Sequence, residues 1–339
     1  MDILEKIRLE MAEPSDELVE DIKKIKGDIM ILGVSGKMGV NLAILAKKAA
    51  VKAGLDKKIY GVARFSEGSK AKEELEDAGV ETIVCDFLVE EQINRLPQVE
   101  NIIFMIGYKF GTVGNEAYSW AVNTYLPGRV AEHFKSSRIV AFSTGCVYPL
   151  VPLTQGAPTE LVPADPLGEY AQSCLGRERI FQYFSMKNQT PVTLFRLNYA
   201  IDLKYGVISE LAKSILKSKA IDLTMGYVNV IWQPDACEVA IRSLLIAESP
   251  ANILNVTGPE TLSVKWIAEE LGRELGIEPY FIGTPQETAL LSNASKTHEL
   301  FGYPRTTIRE MIKITALWLT SGGETINKPT HFQEREGKY

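Results

Sequence analysis

Long apolar runs are missing from this 339-residue sequence. No stretch of about 18 consecutive apolar residues occurs, which excludes a helix that spans a bilayer. Positive charge is also scarce, since 37 Lys and Arg stand against 43 Asp and Glu for a net charge of −6. That balance, with a pI near 5.4, removes the electrostatic basis for a general nucleic-acid binder or a protein held on an anionic membrane. The histidines are only His133, His298 and His331, and Cys85, Cys146, Cys174 and Cys237 are scattered without CxxC spacing. Neither a zinc-ligand pattern nor a disulfide framework is present, so no metal is expected. Met1 to Lys26 is charged throughout and lacks an apolar signal core, which predicts a cytoplasmic protein.

What remains is an ordinary globular composition, 45% hydrophobic and 24% charged, with length enough for a large domain and a smaller one. Residues 1–27 set charge against the apolar positions Leu18, Val19, Ile22 and Ile25, and Pro14-Ser15 offers a helix start. They read as a helical arm packed on the body and ending at Gly27. From Asp28 the pattern changes to short β-rich runs separated by helical stretches. The runs are Ile29–Leu32, Lys58–Val62, Glu81–Cys85, Asn101–Met105, Arg138–Phe142 and Val192–Phe195. Their spacing is that of βαβ units, which predicts an α/β fold: a doubly wound parallel Rossmann sheet with helices on both faces. Past Arg196 the alternation breaks up. Tyr227–Ile231 and Ile253–Val256 are expected to rejoin the main sheet. The predicted division is therefore an arm (1–27), a Rossmann domain (28–196 with 227–256) and a smaller substrate lobe (197–226 with 257–339).

Gly33-Val34-Ser35-Gly36-Lys37-Met38-Gly39 directly follows the first strand and opens the helix Val40–Ala53, with Gly54 as its C-cap. Glycines there let the backbone approach a pyrophosphate, and the helix N-terminus supplies amides and a positive dipole end. A bare GxxGxxG is a weak signal; the strand before it and the helix after it make it strong. Rossmann proteins that prefer NAD carry an acid at the end of the second strand. Here that stretch reads Val62-Ala63-Arg64-Phe65-Ser66, and the first acid is Glu67. Arg64 and Ser66, with charge added by Lys37, would suit a 2′-phosphate, so NADP is preferred over NAD. The plainer alternative is that Arg64 is a solvated arginine.

Taken with the motifs that follow, the chain resembles an extended short-chain dehydrogenase/reductase of the NAD-dependent epimerase/dehydratase family. The similarity runs from about Ile29 to Pro304. Asp86 and Phe87, after Cys85, resemble the end of the family's third strand, where the acid meets the adenine amine. Ile106 and Gly107 follow the fourth strand on the cofactor side, and Asn123 matches an asparagine that organises that region. Phe142-Ser143-Thr144-Gly145-Cys146-Val147-Tyr148-Pro149 is similar to the active-site strand, with Pro149 in place of a glycine. The resemblance makes Thr144 the hydroxyl that contacts the substrate oxygen. Glu169-Tyr170-Ala171-Gln172-Ser173-Cys174 sits where the family has Tyr-x-x-x-Lys. Arg196-Leu197-Asn198 and Tyr205-Gly206 resemble the segment that touches nicotinamide and substrate, which puts Asn198 and Tyr205 in the site. Asn293 to Lys296 and Leu300 to Pro304 match a C-terminal signature.

One departure bears on the chemistry. Residues four apart on a helix share a face, and in the family the lysine holds the nicotinamide ribose and lowers the tyrosine's pKa. This chain has Cys174 there. A cation about 5 Å away at an effective dielectric near 20 is worth about 3 kcal/mol, or roughly two pKa units. Without it Tyr170 stays almost wholly neutral at pH 7, which harms alcohol oxidation more than carbonyl reduction. Three readings follow: Lys109 or Arg177 replaces the lysine; Cys174 or Cys146 is an active thiol; or the chain binds cofactor without turnover. The plain role for Cys174 is a small buried apolar side chain.

The family's nucleotide-sugar enzymes carry a basic residue just before the strand matching Tyr227–Ile231, and this sequence has no Lys or Arg between Lys219 and Arg242. Tyr227 and Trp232 stand there instead, which suggests a less charged sugar-like substrate stacked on aromatics, unless both rings are core. Lys109, Cys146, Asn198, Tyr205 and Trp232 are the substrate-side candidates. The expectation is an NAD(P)-dependent oxidoreductase or epimerase acting by hydride transfer on a small polyhydroxylated substrate. A catalytically degenerate NAD(P)-binding sensor is the alternative. A homodimer is expected through the helices around Asn123–Phe134 and Tyr170–Phe184.

Overall fold

The computed structural model describes Leu4, Ile7 and residues 13–338 apart from Phe110 and Asn327. The β-rich runs pair into one parallel sheet of seven strands. These are β1 (Ile29–Leu32), β2 (Ile59–Ala63), β3 (Glu81–Val84), β4 (Asn101–Phe104), β5 (Arg138–Thr144), β6 (Val192–Leu197) and β7 (Asn252–Val256). The order is β7-β6-β5-β4-β1-β2-β3. The central strand β1 is apolar at every position because helices cover both faces; Ile29 to Leu32 are all buried. The chain winds outward from β1 to β3, then returns to lay β4 on the other side of β1. A crevice therefore opens beyond the carboxyl ends of β1 and β4, where open α/β sheets bind ligands.

On one face lie α1 (Asp16–Lys24), α2 (Gly39–Lys52) and the later helix Gln233–Arg242, sharing a core with Ile29, Ile31, Ile103 and Val140. Of the arm expected over 1–27, most of the first twelve residues fall outside those described. The remainder starts where Pro14-Ser15 predicted. Ser15 Oγ accepts from the Leu18 amide at 3.0 Å and donates to Glu238 Oε2 at 2.5 Å. Leu18 and Ile22 are fully buried, and Arg242 pairs with Asp21 at 2.7 Å.

On the other face, Glu116–Trp120, a π-turn at Ala121–Tyr125 and Leu126–His133 pack beside the long helix α3 (Gly168–Asn188). A third core, built around Val207–Leu216, Val264–Leu275 and Ile308–Thr320, fills the C-terminal lobe.

The sequence-based strands form with ends within two residues of those expected, β1 without any shift, and the run at Ile253 joins the sheet beside β6. Tyr227–Ile231 does not. It splits at Asn229: Tyr227–Val228 runs antiparallel to Leu262–Ser263, whereas Ile231–Trp232 runs parallel to Ala200–Ile201. The cause is the buried Asn229 side chain, which donates to Glu260 O and accepts from the Ser292 amide. Satisfying that amide turns the backbone away from a continuous ladder.

Candidate active site

A cavity of about 460 Å³ opens at the crevice between sheet and lobe. Its floor is the glycine loop. Gly33 has φ +88°, and a Cβ there would meet Ile106 at 3.0 Å; a Cβ on Gly39 would stand 2.3 Å from Val34 O. Side chains at either position would strike the loop after β4 or the turn itself, so only glycine lets strand and helix approach this closely. No side chain among the described residues caps the N-terminus of α2, and its first turn carries no acid. Its first residues, Met38 and Gly39, line the crevice, where a helix N-terminus favours an anion. An orphaned donor lies on the opposite wall: the Nδ2 of Asn198, a residue 3% exposed, has no hydrogen-bond partner among the described residues. These features fit a bound dinucleotide.

Gly33, Gly36, Lys37, Met38, Gly39, Gly107, Lys109, Thr144, Cys146, Tyr170, Asn198 and Tyr205 all line this one cavity. Ser35 lines an adjoining cleft. Arg64 and Ser66 are exposed beyond β2, and Phe65 between them has φ +29°. Asp86 turns its Oδ1 to the Leu88 amide at 3.0 Å, and Phe87 is buried in the core. The Asn123 amide is used up within the protein. Its oxygen accepts from Tyr108 N–H and from Arg177, each at 2.8 Å, and its Nδ2 donates to Tyr108 O and Ser173 Oγ. With all four of its bonds made, it ties the π-turn to α3 and to the loop after β4.

Thr144 ends β5, where its Oγ1 accepts from the Cys146 amide at 3.1 Å and donates to no acceptor among the described residues. Tyr170 lies in the first turn of α3 with Lys109 Nζ 5.6 Å from its ring centroid. Desolvation holds the Tyr170 phenol well above its ordinary range; the Cys174 and Cys146 thiols push the same way, and the Arg177 guanidinium pulls back. Cys174 is 1% exposed, packed with Val147 and Tyr148 behind the tyrosine rather than lining the cavity. Burial raises its thiol to about 11, so the thiolate a nucleophile needs is scarce at neutral pH.

Arg177 lies seven residues beyond Tyr170 and slants back toward the start of the helix, as long helical side chains do. It donates to Phe142 O and Asn123 Oδ1, each at 2.8 Å, and a Cβ on Gly107 would meet its Nη2 at 3.0 Å. A cation thus stands between the ends of β4 and β5, lining the same cavity.

Several functional neighbours escaped the sequence reading. Glu178, wholly buried beside Ser143, accepts from Ser143 Oγ at 2.6 Å and from Arg196 Nε and Nη2 at 2.9 and 2.7 Å. Arg196 also donates to Tyr148 Oη at 2.7 Å, which in turn donates to Asn255. Tyr199, at φ +41°, and Lys328 and Thr330 from the C-terminal segment also line the cavity. Nothing local in the sequence marks them. Trp232 lies in the lobe core, 4% exposed, and Tyr227 packs against the same core.

Sheet order, glycine loop and crevice define a dinucleotide-binding Rossmann protein. The chain belongs to the NAD dependent epimerase/dehydratase family, whose model matches residues 29–225. No curated protein matches the chain in sequence. Among solved structures, the fold is similar to the Thermus thermophilus UDP-glucose 4-epimerase in complex with NAD, with a TM-score of 0.70 and 18% identity over 87% of this chain and 99% of that one. The dTDP-glucose 4,6-dehydratase DesIV of Streptomyces venezuelae, with NAD and TYD bound, gives 0.73 and 14% over 87% and 97%. The Bacillus cereus UDP-glucuronic acid 4-epimerase in complex with NAD gives 0.69 and 15% over 86% and 98%.

Proposed function

We propose that this protein is an NAD(P)-dependent oxidoreductase or epimerase acting by hydride transfer on a small polyhydroxylated substrate in the cytoplasm. The observation that carries the reading is that Thr144 and Tyr170 face the same cavity as the glycine loop and the uncapped start of α2. Gly33, Gly36, Met38 and Gly39 would hold the pyrophosphate through their backbone, with the adenosine end toward Arg64, Ser66, Asp86 and Phe87, while the Lys37 side chain is turned onto the Tyr205 ring. When bound, the dinucleotide supplies or accepts the hydride.

The chain's own residues handle the proton. Thr144 donates to the substrate oxygen and fixes its position. Tyr170, held neutral by desolvation, gives its proton to that oxygen as a carbonyl is reduced. The reverse step asks Tyr170 to surrender a proton first, so reduction is the easier direction. Arg177 replaces the family's lysine as the cation of the site, which leaves Cys174 a packing residue.

A second reading, cofactor binding without turnover, draws on the buried neutral thiol at position 174. Incubation with NADH or NADPH and a panel of sugars, sugar acids and keto acids separates the two. Sustained change at 340 nm, or stereoisomer exchange, is expected. Tight cofactor binding with no turnover across the panel overturns the enzyme reading. In the same titrations NADPH is expected to bind more tightly than NADH, with Arg64→Ala narrowing the gap. Equal affinities, or a preference for NADH untouched by the substitution, would sink the assignment of Arg64.

The same reading has the chain form a homodimer. The groove between Glu116–His133 and α3 is lined by Trp120, Tyr125, Gly128, Ile180 and Phe184, and Tyr125 and Tyr183 are each more than half exposed. Two such helices per subunit would cross as a four-helix contact. Light scattering at micromolar concentration is expected to give twice the chain mass; a monomer there refutes the pairing.

A further inference from the structure

Charge in the cavity is one-sided. Lys37, Lys109, Arg177 and Lys328 line it, and among the described residues no Asp or Glu does. Arg177 is committed to Phe142 O and Asn123. The three lysines come from unrelated parts of the chain: the glycine loop, the segment after β4, and the C-terminal segment. That last segment is strapped across the lobe by Ile326 N–H to Lys204 O at 2.8 Å and by Thr330 N–H to Glu210 Oε2 at 2.7 Å. Lys37 Nζ lies 3.2 Å from the centroid of the Tyr205 ring, so one aromatic face holds that amine in the cavity.

Like charges gathered in a partly desolvated space repel, and the molecule shows the cost. Burial first, then Lys109 and Lys328, bring the Lys37 amine down to about 7. An anion placed among the three would reverse that cost. The adjoining cleft, which Lys37 and Lys328 also line, holds Asp202 and Glu74. Lys109 does not line that cleft; it stands 5.6 Å from the Tyr170 ring. The positive charge therefore extends from the glycine loop to the reacting end. In the same cavity the buried Asn198 Nδ2 has a hydrogen to give and no acceptor among the described residues.

We propose that Lys37, Lys109 and Lys328 form an anion-binding site for the substrate, which carries a carboxylate or phosphate group, and that Asn198 Nδ2 donates to a neighbouring substrate oxygen. This rests on the oxidoreductase reading above and narrows its substrate class to acids or phosphorylated polyols. It also accounts for the lack of a basic residue between Lys219 and Arg242: the substrate's charge is met from the cofactor side instead.

The titration of Lys37 reports on the site, since Lys109, Lys328, Tyr205, Asp202 and Glu74 surround it and Glu210 lies behind the tyrosine. It is followed by NMR of protein labelled with 13C-lysine, assigned with Lys37→Met. In NADH-saturated protein, inorganic phosphate or D-glucuronate is expected to raise the Lys37 midpoint by about one unit or more, whereas D-glucose leaves it unmoved. Asn198→Ala should weaken D-glucuronate binding about tenfold, and Lys109→Gln should remove most of the anion-dependent shift. If NADH alone moves Lys37 fully and neither anion adds to it, the lysines hold the cofactor's pyrophosphate and the proposal falls. It falls also if neither anion moves Lys37 in any state. Turnover of neutral polyols would survive either result, so the two readings fail separately.

Discussion

Tyr170→Phe is expected to lower kcat/KM by about 10²- to 10⁴-fold on a substrate found by the panel assay, the usual contribution of a positioned proton donor. Cys174→Ala should leave activity nearly intact, because the thiol is buried behind the tyrosine and kept protonated. The decisive partner is Arg177. Its guanidinium draws the Tyr170 phenol downward against desolvation. Oxidation of an alcohol needs the phenolate, so its rate climbs with pH until Tyr170 is ionised. Removing Arg177 takes away that downward pull, so in Arg177→Met the climb is expected at higher pH. A pH profile of kcat/KM identical to that of the parent would show that Arg177 only props the fold. Cys174→Lys should reduce activity rather than restore it. The new ammonium would have to enter the packed space between Val147 and Tyr148, and Arg177 already stands at the strand ends.

The second large effect is on stability. Arg196 and Glu178 are 3% and 0% exposed in their side chains and pair at 2.7 Å beneath the active-site strand. Breaking a buried pair leaves its other charge uncompensated, which costs about 3–5 kcal/mol. Arg196→Met should show that loss in urea unfolding at pH 7, and adding Glu178→Gln should recover part of it because the stranded carboxylate is gone. A single-variant loss below about 1 kcal/mol, the scale of an exposed pair, would mean that water reaches Glu178. Because Glu178 also accepts from Ser143, the residue before Thr144, the double variant further reports whether this network sets the active-site strand.

The sheet was legible because its signals are local. Each strand is a short apolar run, and the glycine loop with its flanking strand and helix is contiguous, as are Thr144 and Tyr170 in their motifs. Asn198 was reached by the same route. The start of α1 at Ser15 could be read from one capping residue. What escaped is non-local. Asn229 breaks an apparently continuous strand through partners at Glu260 and Ser292. Glu178 looks like a surface charge, and Arg196 reads only as part of a site motif, until a helix and a strand bring the two together. Lys328 carries no motif at all. Trp232 shows a different limit: an aromatic beside a short strand reads the same whether its ring faces a cavity or, as here, a core. Arg177 was visible as a candidate only because a lysine was missing nearby.

The strap that carries Lys328 has a temporal consequence. Almost the whole length of the chain lies between Lys37 and Lys328, yet both line one cavity. Contacts so distant in sequence form late, since their loop-closure entropy is lost before they reward it. During synthesis the seven strands of the sheet have all emerged by Val256, while the cavity still lacks the outer wall that Lys328 and Thr330 supply. For that interval the crevice is a shallow, open shelf, and it becomes an enclosed chamber only once Ile326 and Thr330 settle against Lys204 and Glu210.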